Sequence, residues 1–129
     1  MPNVMIDVLK TVRSFRYAGR GVVDLFRSEN NAKVHLLAAV VIISVGILLK
    51  ISRVEWAIVV TQIGLVLAAE AVNTALEKLC DLVQPDYHPQ IKLIKDVASG
   101  AVLILAITAV VVAVIIFIPK LCPANTLTT

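Results

Sequence analysis

The sequence predicts an all-α membrane protein in which an amphipathic surface helix precedes three transmembrane helices. Three observations predict it. Of 129 residues, 59% are hydrophobic and only 16% charged, whereas soluble domains carry about 25% charged residues; the mean hydropathy is +0.92. The apolar residues fall in three runs, the last of them 22 residues long without a charge. Aromatic residues make up 5%, and the Val, Ile, Leu and Ala that dominate suit packed helices better than a barrel with aromatic girdles. The length allows one domain, 1–129, and the composition excludes a disordered chain. Two cysteines, Cys80 and Cys122, exclude a disulfide scaffold. A net charge of +3 is small for a nucleic-acid binder, so no nucleic-acid partner is expected.

The surface helix is placed at about 4–28. Val8, Val12, Phe15, Val22 and Phe26 share one face at 100° per residue, and Arg13, Arg16, Arg20 and Arg27 the adjacent one, the pattern of a helix lying apolar side down on a leaflet. Charges interrupt any apolar stretch of the kind a signal peptide needs. The spans follow at about 34–50, 54–76 and 97–118. A helix needs about 20 apolar residues to cross the hydrocarbon core, and in lipid every backbone amide must be bonded internally. The third run qualifies outright, while the first two must borrow neighbouring turns. Lys50-Ile51-Ser52-Arg53 forces an antiparallel hairpin between the first two spans, and a polar stretch at about Lys78 to Asp96 is expected to connect the second to the third. Nine of the 12 basic residues lie before the first span or between the second and third. The positive-inside rule therefore puts the N-terminus in the cytoplasm and the C-terminus outside. Trp56 is expected to anchor the outer end of the second span in the headgroups, and the polar tail Cys122–Thr129 to fray. Cys80 and Cys122 fall on opposite sides of the bilayer and do not pair.

The carboxylates of the second helix do not fit a plain span. Glu70, Asn73, Glu77 and Asp81 lie at offsets of 3, 7 and 11 residues, which places all four on one helical face. A carboxylate in hydrocarbon costs at least about 2.5 kcal/mol and normally faces a bundle interior or a wet cavity. The plain alternative, an interfacial Glu70 that snorkels, leaves the in-line Asn73 and Glu77 unexplained. A second acidic site, Ser28-Glu29-Asn30-Asn31, lies at the depth of Glu77. Two carboxylates from different helices suit Mg²⁺ when phosphates and water supply most of its six oxygens. Glu70, deeper and desolvated, is then placed to take a proton from a lipid alcohol, with Asn73 holding it. Lys95, at the start of the third span, offsets phosphate charge, and Asp96 orients the lysine or a nucleotide amine. Glu29 also reads as a helix-cap turn residue, and Lys95-Asp96 as a solvated ion pair; the sequence leaves both open. His35 and His88 lack metal-ligand spacing. Neither standard glycine-rich phosphate loop is present, so charges and metal must hold any nucleotide.

The run Glu70-Ala71-Val72-Asn73-Thr74-Ala75-Leu76-Glu77-Lys78-Leu79-Cys80-Asp81 resembles the signature E-x-x-N-[ST]-A-[IL]-E-x-x-x-D of the small prokaryotic diacylglycerol kinases and undecaprenol kinases. Supporting matches are Tyr17-Ala18 with Gly21, Glu29-Asn30-Asn31 with His35, and His88-Pro89 followed by Lys95-Asp96-Val97-Ala98-Ser99-Gly100. The resemblance covers about residues 10 to 118. It implies a homotrimeric bundle in a bacterial plasma membrane that transfers the γ-phosphoryl of ATP, with Mg²⁺, to a membrane lipid. Carried over by residue, it implies Glu70 as general base and Glu29 and Glu77 as metal carboxylates supported by Asn73. Lys95, Asp96, Asp86, Tyr87, His88, Tyr17 and Lys10 are implied as nucleotide contacts, and Ser99 as a residue along the lipid. Glu29, Asn31 and His35, with His88-Pro89, look more like the undecaprenol-preferring branch.

Two other classes compete. A proton- or ion-coupled transport component would use Glu70 as the carrier, but nothing ionisable continues outward along the third span. A non-catalytic subunit binding anionic lipid through the basic surface helix gives Glu70, Asn73 and Glu77 no role.

Overall fold

Helix-forming residues interrupted by a few breakers divide the described residues into four helices. In the computed structural model, which describes residues 7–122, these are α1 (Val8–Ser28), α2 (Asn30–Leu48), α3 (Arg53–Val83) and α4 (Pro89–Leu121). Asp7 caps α1, its Oδ1 accepting the Lys10 N–H at 3.1 Å. Residues 4–6 of the expected surface helix and the tail beyond Cys122 lie outside the described residues. The apolar face of α1 stays uncovered by protein: Val8, Val12, Phe15 and Val22 are exposed, and Leu25 in the last turns is its buried residue. That is the arrangement of a helix whose apolar side meets a membrane surface.

A single residue separates α1 from α2. Glu29 adopts φ −106° and ψ 120°, and its N–H still bonds the Leu25 carbonyl. The chain thus turns from an amphipathic helix into an all-round apolar one. The end of α2 is a Schellman motif. The Ile51 N–H donates to the Gly46 carbonyl at 3.2 Å and the Lys50 N–H to the Ile47 carbonyl at 3.3 Å, with Lys50 at φ 51°, where glycine is usual. Ser52 then opens α3 with a reciprocal cap. Its Oγ accepts the Glu55 N–H at 3.2 Å, and Glu55 Oε2 accepts the Ser52 N–H at 2.7 Å.

The polar stretch expected to connect the second and third spans is largely helical. The 31 residues of α3 span about 46 Å at 1.5 Å each, well beyond a hydrocarbon core of about 30 Å. Glu77, Lys78, Leu79 and Leu82 are compatible with a helix, and no breaker intervenes before Pro85. The true connector is Gln84–His88. His88 caps α4, its Nδ1 accepting the Gln90 N–H at 3.2 Å, and Pro89 occupies the first turn, where its missing N–H costs nothing. α3 and α4 pack antiparallel, and Lys120 of α4 reaches Glu55 of α3 at 3.2 Å.

The best-packed core lies at this hairpin end, where Ile51, Val59, Ile116 and Phe117 are buried together. Trp56 is half-buried there. A Cβ on Gly46 would stand 2.9 Å from its Cη2 and 3.1 Å from Ile51 Cδ1, so Gly46 is what lets the indole close over α2. Elsewhere the helices turn Leu37, Ile47, Ile104 and Ile115 outward, as a bilayer permits. Three of the four helices are long and apolar enough to cross a membrane. Cys80 and Cys122 are both free thiols, at opposite ends of the α3–α4 pair.

Candidate active site

At the end away from that core, the buried stripe of α3 changes chemistry. Val59, Val66, Asn73 and Cys80 recur every seven residues and are all buried, so one seam begins apolar and turns polar. Glu70, Asn73 and Thr74 are 3%, 4% and 7% exposed, the buried polar residues among those described. Glu70 therefore faces inward. Asn73 Nδ2 donates to Glu77 Oε1 at 3.1 Å, one turn along the same face. The Asn73 Oδ1 is buried with no partner. The titratable groups that act on Glu70 are His35 of α2, then Glu77 and Glu29.

Glu29 stands at the N-cap position of α2, yet its side chain makes no capping hydrogen bond. The carboxylate turns to α3 instead, where Lys78 Nζ lies 3.5 Å from its Oε1 and 3.5 Å from Ser28 Oγ. The elbow between α1 and α2 is thereby fastened one residue from Glu77. Among the described residues no three His, Cys, Asp or Glu side chains form a cage for a metal ion. Glu29, Glu77 and the unpartnered Asn73 Oδ1 supply hard oxygen donors, the set that suits Mg²⁺ when phosphate and water complete its shell.

Lys95 and Asp96 do not pair with each other. The Lys95 ammonium is held by Asp81 of α3, and Asp96 is paired with Lys92, one turn earlier. Consecutive helical residues point about 100° apart, so it is Asp81 that orients Lys95. Ser99 Oγ donates back to the Lys95 carbonyl at 3.0 Å. Tyr17, Asp86 and Tyr87 are exposed, and His88 serves as the α4 cap. Lys10 lies 19 residues before Glu29 along α1, about 28 Å at helical rise, so within one chain it is not brought to the carboxylates. Lys78 and Thr74 were given no part on the sequence. Thr74 carried a signal, its offset of four residues from Glu70, whereas the reach of Lys78 to Glu29 depends on how α1 meets α3.

Beside His35 an apolar cleft of about 590 Å³ runs between α2, α3 and α4, past Ala39, Ile63, Val66 and Ala109. Its volume lies in the range of small-molecule sites.

Residues 16–117 match the prokaryotic diacylglycerol kinase family. The chain is 38% identical over 109 residues to the undecaprenol kinase of Bacillus subtilis, covering 84% of this chain and 89% of that one. It is 37% identical over 121 residues to the diacylglycerol kinase of Synechocystis, 93% of this chain and 65% of that longer protein. With the diacylglycerol kinase of Pseudomonas aeruginosa it shares 36% identity over 85 residues, 66% and 69% of the two chains. The chain belongs to the prokaryotic diacylglycerol kinase family, a family of membrane lipid kinases.

Proposed function

We propose that this protein transfers the γ-phosphoryl group of MgATP to the hydroxyl of a membrane lipid alcohol at the cytoplasmic face of a bacterial plasma membrane. One observation carries the reading: a carboxylate, Glu70, buried where an apolar helix seam turns polar, with Glu77 and Glu29 within its field. The Glu70 carboxylate accepts the hydroxyl proton as the lipid oxygen bonds to the γ-phosphorus, and the bond to the nucleoside diphosphate oxygen breaks. Phosphoryl transfer needs alignment and charge neutralisation more than covalent help. Glu29 and Glu77, with Asn73, would hold the magnesium that neutralises the phosphates. Lys95, positioned by Asp81, stands beside them, and Asp96, Asp86, Tyr87 and Tyr17 border the nucleotide. His88 borders it from the α4 cap. Lys10 reaches a nucleotide only in another arrangement of α1 or from a neighbouring copy. The cleft beside His35 offers an apolar path for the lipid chain, and Ser99 marks a second, on α4.

Undecaprenol is the lipid we place first, on the likeness to the Bacillus subtilis protein over most of both chains. Diacylglycerol is the second reading, supported by the Synechocystis relative. Ion transport is disfavoured because α4 carries no charge between Asp96 and Lys120. A homotrimer would close a site that one chain leaves open around Glu29, whose side chain is 28% exposed. Purified protein in mixed micelles with γ-labelled ATP and Mg²⁺ should label undecaprenol faster than diacylglycerol. Faster labelling of diacylglycerol reverses the lipid order, and labelling of neither removes the proposal.

A further inference from the structure

Four lysines, Lys33, Lys78, Lys92 and Lys95, stand at the end of the molecule that holds the carboxylates, and three of them are paired with acids. Lys95 is held by Asp81, Lys92 by Asp96, and Lys78 by Glu29. Lys78 alone among them rests on a carboxylate that the proposed reading gives to a divalent cation. Its side chain is 60% exposed, so no packing compels it to lie there. It crosses from α3 to the α1–α2 elbow, 3.5 Å from Glu29 Oε1 and 3.5 Å from Ser28 Oγ.

We infer that Lys78 is the resident counter-cation of Glu29 and makes the site select a metal–nucleotide complex over a bare divalent cation. The inference rests on the proposed metal role of Glu29 and Glu77. Glu77 and Glu29 both act on Glu70, and without an internal cation such a group of acids attracts any divalent ion. The ammonium on Glu29 repels a bare ion at that short range. A nucleoside triphosphate complex arrives with net negative charge, so the same ammonium attracts it. When a metal takes the Glu29 oxygens, the long lysine stem lets the ammonium turn to the phosphates without moving the helix. Lys78 is thus a specificity-determining residue and takes no proton in the reaction.

The test is Mn²⁺ binding followed by electron paramagnetic resonance, on the purified protein, with and without a non-hydrolysable ATP analogue. Lys78→Met should bind Mn²⁺ alone about tenfold more tightly, as expected on removing one repelling charge, and the Mn²⁺–analogue complex several-fold more weakly. Lys78→Arg should match the wild type in both titrations. Lys78→Gln carries the same expectation as Lys78→Met should that variant fail to fold. Unchanged or weaker uptake of Mn²⁺ alone by the neutral variants overturns the inference, as does Lys78→Arg behaving like them, and both outcomes leave the kinase reading intact. A wild type that takes up no Mn²⁺ even with the analogue overturns this inference together with the proposed metal site.

Discussion

Glu70 shows how much one residue's surroundings decide. A carboxylate in the bilayer is tolerated where it faces other protein groups or water, and this one is turned inward, among Asn73, Thr74 and the fields of His35, Glu77 and Glu29. Asn73 keeps its amide donor on Glu77 and leaves its Oδ1 without a partner, which in the proposed reading makes it a further oxygen for the metal. Lys50 makes the opposite case, a residue whose strain is structural. It sits at φ 51° to end α2, a conformation glycine adopts without the Cβ clash. Lys50→Gly should therefore stabilise the protein by about 1 kcal/mol, read as a higher unfolding midpoint in detergent micelles. A lower midpoint would mean that the Lys50 side chain contributes more than its backbone costs.

Among the elements, legibility followed local signals. The surface helix, the break at Glu29 and the hairpin at Lys50–Arg53 were readable because periodicity, charge and turn residues change there within a few positions. The length of α3 and α4 was not. Hydropathy marks where lipid ends, and Glu77, Lys78 and Asp81 are polar enough to look like a connector, yet helix hydrogen bonds do not stop at the membrane surface. The in-line spacing of Glu70, Asn73, Glu77 and Asp81 was the better guide, since it requires a helix through all four. The carboxylate face was legible for the same reason. The pairing of Lys95 with Asp81 and the crossing of Lys78 to Glu29 were not, because they depend on how separate helices meet, which spacing along one helix does not encode. The packing of Trp56 over Gly46 was likewise hidden, for it needs the α2–α3 hairpin to be closed.

For the whole molecule, the two ends differ in kind. The hairpin end holds the apolar core and the Glu55–Lys120 pair; the other end holds Glu29, Glu70, Glu77 and Asp81, the paired lysines Lys78, Lys92 and Lys95, and the basic α1. That polarity supports an orientation with the site inward and Cys122 outward. In intact cells a membrane-impermeant maleimide should label exposed Cys122, while buried Cys80 stays unlabelled. Protection of Cys122 in intact cells, with labelling once the membrane is permeabilised, would invert the molecule and separate the site from cytoplasmic ATP. The uncovered apolar faces of α2 and α4 suit contact with lipid and with further copies, consistent with the proposed trimer.

In the proposed reaction Glu70 is the proton acceptor, and its replacement by glutamine would keep shape while removing that acceptor. With labelled ATP, Mg²⁺ and the lipid alcohol, Glu70→Gln should lower kcat by about 10²–10⁴-fold, the span of general-base effects, while nucleotide affinity measured by equilibrium binding stays near that of the wild type. Retention of most of the turnover by Glu70→Gln would contradict the account.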